Sequence, residues 1–255
     1  EKEVKPLKEA IAVMEQLYAG MIAIKENKGF SFTREEPTFT LELSLPSVGE
    51  EIAFYVAVPR VWSRAFEKQV NALFPHARID RAKDYNIFNS EGVSVGSQLK
   101  LKKSGFFPVR TYQHLEADPL ELIANAFSKL KKEGEGAAFQ IVVRPADTHW
   151  AKRGQETARF MREGKTVEKI ERERAFAHKA FEATRDIVHG PTSKKDEEGG
   201  ATRPAVFDEQ LVKIIEDKAN RVGFDVNIRL LASAPTKAEA TSILQELEDS
   251  FLQFA

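Results

Sequence analysis

The sequence predicts an α+β protein, and three observations predict it. Several stretches alternate apolar and polar residues at the period of a strand, others repeat apolar residues at the period of a helix, and one order of elements occurs twice along the chain. The predicted architecture is two tandem ferredoxin-like units, each a split β-α-β arrangement with helices on one face of its sheet. Residues 1–92 form the first unit and 93–255 the second, which carries a long helical insertion at about 148–222. A chain of 255 residues is long enough for two such cores.

The elements follow in order. Leu7, Ile11, Met14, Leu17, Tyr18 and Met21 recur at helical spacing after Pro6. Phe39, Leu41, Leu43 and Leu45 alternate up to Pro46, and Ile52, Phe54, Val56 and Val58 alternate up to Pro59, with Ser47-Val48-Gly49 between them as a hairpin turn. Trp62, Phe66, Val70 and Leu73 make a helix that stops before Pro75, and Ala77 to Ile79 begins a further strand. The order then repeats. Val95 to Leu101 alternates, and Asp118-Pro119 opens a helix with Asp as the cap and Pro at the first helical position, its stripe being Leu120, Ile123, Phe127 and Leu130. Phe139 to Val143, ended by Pro145, and Phe224 to Leu231 are β-rich runs. Thr236 and Glu239 form a capping box for a helix that buries Ala240, Ile243, Leu247 and Phe251.

Between the last two strands, Thr148 to Ile187 is highly charged with a sparse stripe of Trp150, Phe160, Val167, Ile170, Phe176 and Phe181, which predicts one long or kinked helix. His189 to Pro204 is Gly, Pro, Ser and charge, and predicts a mobile loop open to proteolysis. Asp208 caps a helix carrying Leu211, Ile214 and Ile215, which Gly223 ends.

Composition excludes more than it assigns. The 38 Lys and Arg against 39 Asp and Glu leave a net charge of −1, so any surface that attracts nucleic acid or anionic lipid must be local. The absence of cysteine removes disulfides, thiol nucleophiles and iron–sulfur ligation, and fits a reducing compartment. No run approaches the roughly 18 apolar residues of a membrane span, and residues 1–6 have neither signal-peptide nor anchor character.

Gly164-Lys165-Thr166 resembles the tail of a phosphate-binding loop. Such a loop needs a glycine five positions earlier, where this chain has Arg159, and it joins a strand to a helix, whereas both flanks here are helical in pattern. The triplet therefore reads as a solvated helix with one tolerated glycine. His76, His114, His149, His178 and His189 lack the spacing of metal ligands, so no metal or other cofactor is expected. No Gly-x-Ser-x-Gly elbow exposes a serine, and the acidic pairs Asp80 with Asp84 and Glu35 with Glu36 read as turn residues, so no catalytic group is assigned.

The informative local feature is Lys100 to Arg110, with Lys100, Lys102, Lys103 and Arg110 basic, no acidic residue, and Phe106 and Phe107 among them. Cations for phosphates and rings for bases are what single-strand binding uses, so these six residues are the candidate contact site. The competing reading is a sheet edge guarded by lysines, with the two phenylalanines packed beneath a loop. Ala151 to Arg185 carries ten basic and six acidic residues, and Phe207 to Ala255 five and nine, so the two segments have opposite net charge and can face each other.

These strings, in this order, resemble the amino-terminal region of large conjugation-type ATPases of the coupling or type IV secretion class from uncultivated bacteria. The resemblance is carried by Ile52 to Pro59, the Trp62 helix ending Ala72-Leu73-Phe74-Pro75, Leu99 to Lys103, Glu116 to Leu120, Gln140 to Pro145 with Trp150, and Ile228 to Ser233. It implies a non-catalytic docking and assembly module, cytoplasmic or held at the inner face of the membrane by other parts of the protein. It also implies partners: a carboxy-terminal, DNA-translocase-like motor domain of the same polypeptide, further copies in a ring, and secretion components or a DNA–protein substrate. No ATP site is implied in this region. Both outer strands of the split β-α-β pair are expected outside residues 1–255, with the polypeptide continuing past Ala255 through one more strand into the motor. The alternative is a free-standing nucleic-acid-binding protein that uses the basic strand edge.

Overall fold

A computed structural model describes residues 7–26, 38–46, 51–82, 85–110, 119–131, 133–186 and 209–254. The loop expected at 189–204, the turn at 47–49 and the caps Asp118 and Asp208 lie outside these residues. Along the chain come α1 (Leu7–Glu26), β1 (Phe39–Leu45), β2 (Ala53–Ala57), α2 (Arg60–Leu73), β3 (Val93–Leu99), α3 (Pro119–Ser128) and β4 (Gly136–Pro145). There follow α4 (His149–Arg162), α5 (Val167–Asp186), α6 (Glu209–Ala219), β5 (Phe224–Ala234), α7 (Lys237–Asp249) and a 3-10 turn at Leu252–Phe254. The fold is α+β, with seven α-helices and five strands among the described residues.

The chain divides into a sheet unit, Glu1–Lys102 with Val109–Asp147 and Val222–Ala255, and a helical unit, Lys103–Pro108 with Thr148–Arg221. In the sheet unit all five strands join one antiparallel sheet of order β2-β1-β4-β5-β3. Strands expected in two sheets thus share one, and a division at residue 92 would separate β1 from β4, the strand it pairs with along its whole length. The physical reason is at the centre, where the alternating apolar rows of β1 and β4 are in register, Phe39 opposite Val143, Leu41 opposite Ile141 and Leu43 opposite Phe139. Pairing them buries one continuous apolar surface that two separate sheets would each leave at an edge.

The repeat in the sequence survives in another form. α1-β1-β2-α2 and α3-β4-β5-α7 are both helix, antiparallel strand pair, helix, and they meet through the antiparallel β1–β4 contact, as a pseudo-two-fold axis requires. Helices α1 and α2 pack Leu17, Met21 and Phe66 on Phe39 and Val143, and α3 and α7 pack Ile123, Phe127 and Leu247 on Leu43, Ala137, Phe139 and Leu230. All of these strand residues lie on one face, since side chains alternate along a strand. β3 is additional and, among the described residues, pairs only with the outer edge of β5. Ala77 to Ile79 is not a strand; Ile79 is exposed and Arg78 pairs with Asp80 in solvent. Two apolar residues with an arginine between them bury too little to recruit a partner strand.

The second strand pair has its hairpin turn replaced by the helical unit, and Ala146 N–H donates to the Gly223 carbonyl (3.0 Å) where the strands separate. Helix α6 ends at Ala219, before the Gly223 expected to end it, and Gly223 has no positive φ. The stretch expected as one long or kinked helix is two. Gly164 has φ +86°, Gly164 N–H donates to the Met161 carbonyl, and Lys165 N–H donates to the Phe160 carbonyl, each at 3.0 Å. This is a Schellman ending for α4. Thr166 Oγ1 then accepts from Lys169 N–H (3.3 Å) and caps α5. Trp150, Phe160, Val167 and Ile170 join the unit's core, whereas Phe176 is 76% exposed.

Candidate interaction surfaces

The six residues singled out from Lys100 to Arg110 fall in both units, with Lys100, Lys102 and Arg110 in the sheet unit and Lys103, Phe106 and Phe107 in the helical unit. Lys100, Lys102, Lys103 and Arg110 are exposed. Phe106 and Phe107 are 3% and 7% exposed, packed on each other and on Ala158, Met161, Ile170, Val212 and Ile215. Buried rings cannot stack on bases, which corrects that part of the candidate site. The two rings are instead the centre around which α4, α5 and α6 assemble.

Side chains around this centre hold it in place. The Lys218 ammonium on α6 donates to the Phe107 carbonyl (2.6 Å), and burial holds its pKa below the usual lysine value. Arg174 of α5 donates to Thr157 Oγ1 (3.0 Å) and the Arg153 carbonyl (3.2 Å) on α4, and its guanidinium lies 6.0 Å from the Phe106 ring centre. A Cβ on Gly154 would stand 3.2 Å from the Cβ atoms of both Ala219 and Phe106, so glycine is what lets α4 approach so closely. Arg162 of α4 pairs with Glu216 of α6 at 2.6 Å, a contact between the basic and acidic segments of the sequence.

Gly164-Lys165-Thr166 has ordinary work in the same unit. Gly164 and Thr166 form the helix junction, and the Lys165 ammonium pairs with Glu173 (2.9 Å) and lies 4.6 Å from the Phe160 ring centre. Hydrogen bonding from Lys165 lowers the pKa of Glu173.

In the sheet unit, the face opposite the helices carries a polar row across all five strands, Tyr55, Glu42, Gln140, Arg229 and Gln98 in register. Residues 85–92 run over this face. Tyr85 stacks on Tyr55 with ring centres 4.2 Å apart and donates its hydroxyl to Glu42. Burial, first, and the Glu42 bond raise the Tyr85 pKa, and burial does the same to Tyr18, which α1 packs against Phe39 and Phe224 on the other face. Ile87 is buried, and its carbonyl would be 2.2 Å from a Cβ on Gly136. Asn89 then donates from its backbone to Ser233 Oγ (2.9 Å) and from its side chain to the Gly134 carbonyl (3.2 Å). The sequence reading missed this strap, although Asn89-Ser90-Glu91-Gly92 is a turn signal and Gly136 a glycine inside a strand, which marks close backbone approach.

The two edges of the sheet differ. β3 runs directly into exposed Lys100, Lys102 and Lys103. β2 is Ala53-Phe54-Tyr55-Val56-Ala57, with no charge and no proline, and Phe54 and Val56 are 74% and 46% exposed. They stand between the two helix pairs, for Ile52 packs on the α3–α7 cluster and Val58 on the α1–α2 cluster.

The family model for a domain of unknown function, DUF8128, matches residues 3–255. The chain belongs to that family. No curated protein and no solved structure matches it. Among the described residues, no group of three or more His, Asp or Glu side chains is placed to hold a metal ion, and no helix is long and apolar enough to cross a membrane. A cleft of about 190 Å³ between the end of α3 and α7 is lined by Lys129, Lys131, Glu135, Glu239 and Glu246 among others. Its charges are already paired: Lys131 bridges Glu135 (3.1 Å) and Glu239 (3.0 Å), and Lys129 meets Glu246 (3.5 Å).

Proposed function

We propose that this chain is a non-catalytic docking and assembly module of a conjugation-type or type IV secretion ATPase, whose motor domain is carried further along the same polypeptide. Its partners are then that motor, further copies of the protein, and secretion components or a DNA–protein substrate at the cytoplasmic side of the membrane. The observation that carries the non-catalytic part is the use of Gly164-Lys165-Thr166 as a helix junction, with Lys165 paired to Glu173. The two helix–strand pair–helix halves support a tandem ferredoxin-like ancestry, fused here into one sheet. The resemblance in the order of the strings supports the secretion part.

Titration calorimetry with Mg-ATP tests the first part. No saturable binding is expected, and binding that disappears in Lys165→Ala overturns it. Reading the coding sequence beyond the codon for Ala255 tests the second, with a strand followed by a P-loop motor as the expected result. The exposed Lys100, Lys102 and Lys103 favour nucleic-acid binding as the other reading. In that case replacing all three by Ala flattens the salt dependence of single-strand binding by up to about three units, one per lost phosphate contact.

A further inference from the structure

We propose that the outer edge of β2 pairs antiparallel with β2 of a second copy of this chain, joining two sheets into one across a two-fold axis near Tyr55. This pairing rests on the strand edge and is independent of the secretion reading.

The first observation is internal. Under the pseudo-two-fold arrangement β2 corresponds to β5, and the outer edge of β5 is covered by the antiparallel strand β3. Among the described residues nothing pairs with the corresponding edge of β2. The second is the contrast in protection. An exposed strand edge is a template for pairing, and proteins that keep it free place lysine, proline or a bulge there. The β3 edge leads into three lysines, whereas β2 has no lysine, proline or other charge between Ala53 and Ala57 and meets its first proline only at Pro59, beyond the strand.

The third observation selects the occupant. Antiparallel pairing about Tyr55 sets Ala53 opposite Ala57 of the other copy and Phe54 opposite Val56, so each exposed apolar side chain meets an apolar partner on the same face. A two-fold axis perpendicular to the sheet keeps the helix-covered faces of both copies on one side. The flanks agree. Exposed Glu51 precedes β2 and exposed Arg60 follows it, so antiparallel pairing brings an acidic flank alongside a basic one, whereas parallel pairing would oppose like charges. Two five-residue strands bury less than the roughly 1,200 Å² of a standard interface, which makes this a concentration-dependent dimer.

The chain has no cysteine, which makes the test clean. Sedimentation across the micromolar range is expected to show reversible doubling of mass, and Phe54→Lys to raise the dissociation constant at least about tenfold with unchanged circular dichroism. Tyr55→Cys is expected to form a disulfide-linked dimer under mild oxidation, and Thr40→Cys on the interior strand β1 is expected not to. Should Phe54→Lys unfold the chain, Val56→Thr and the Tyr55→Cys cross-link still decide the matter. A monomer at every concentration, a dimer indifferent to Phe54→Lys and Val56→Thr, or Thr40→Cys cross-linking as readily as Tyr55→Cys overturns the proposal. So does concentration-independent protection, in a monomer, of those β2 amides that point away from β1, which would assign the edge to another segment of the same chain.

Discussion

The sheet unit and the helical unit reach their cores by different routes. In the sheet unit, each apolar row comes from a strand whose own alternation announces it, and register between β1 and β4 joins the rows. In the helical unit, three charged helices with sparse apolar stripes close around two rings, Phe106 and Phe107, from a six-residue segment about 40 residues earlier in the chain. The first core is distributed over strands and helices along the chain, and the second gathers side chains of three helices around two adjacent rings. Local damage should therefore have unequal consequences.

The largest expected effect is the removal of that centre. Phe106→Ala or Phe107→Ala should cost about 3–5 kcal/mol, enough to unfold a small helical unit while the sheet unit persists. Segment-resolved hydrogen exchange would show protection lost in α4 and α6 and retained in β1, β4 and β5; uniform loss in both units would refute the separation. Gly136→Ala should cost about 1–3 kcal/mol on the opposite side of the comparison, since its Cβ meets the Ile87 backbone carbonyl and forces the strap off the sheet. Its signature is faster exchange at 85–92 with the helical unit undisturbed.

Smaller effects probe the helix ends in each unit. Gly164→Ala should cost about 1–2 kcal/mol through its positive φ alone, because nothing stands within 4 Å of the added Cβ. Thr236→Ala should cost about 1 kcal/mol in the sheet unit by breaking the capping box with Glu239. Chemical denaturation monitored separately in the two units would measure both.

The subtlest difference is in alkaline behaviour, where the signs oppose. Tyr18 and Tyr85 have pKa values raised above 10.0 by burial, so the stability they confer on the sheet unit is complete below pH 10.0 and is lost as pH rises toward their folded values. Lys218 has its pKa lowered from 10.5 by burial, so the unfolded state binds more protons in the window just below 10.5 and the helical unit gains stability as pH rises through it. Lys218→Met should abolish that gain, and Tyr85→Phe should reduce the loss in the other unit. The same slope in both units would show that these groups do not govern the response.

Much of the fold was legible before any coordinates. The alternation of Phe39 to Leu45, the helical stripe of Trp62 to Leu73 and the capping box at Thr236 each depend on neighbours a few residues apart, and all three elements are present. The candidate contact site was legible only in part. The lysines at 100, 102 and 103 are exposed, as charge dictates, but a pair of adjacent phenylalanines between basic residues has the same sequence signature whether it faces solvent or a core. Two large rings left in water forfeit several kcal/mol of transfer free energy, and that penalty was the signal that could have favoured burial.

By itself the sequence determined the kind and order of most elements, the lack of thiol chemistry and the missing glycine of the Gly-Lys-Thr triplet, because these depend on composition and on local spacing. Tertiary structure alone decided that the strands share one sheet, that β3 covers the outer edge of β5 while among the described residues nothing pairs with that of β2, that residues 85–92 cross the polar face, and that Phe106 and Phe107 found a second core. The physical reason is range. Period and capping are set by backbone geometry within a turn or two, whereas strand order and burial are set by which distant apolar surfaces exclude the most water together, and that choice is written in no single stretch of the chain.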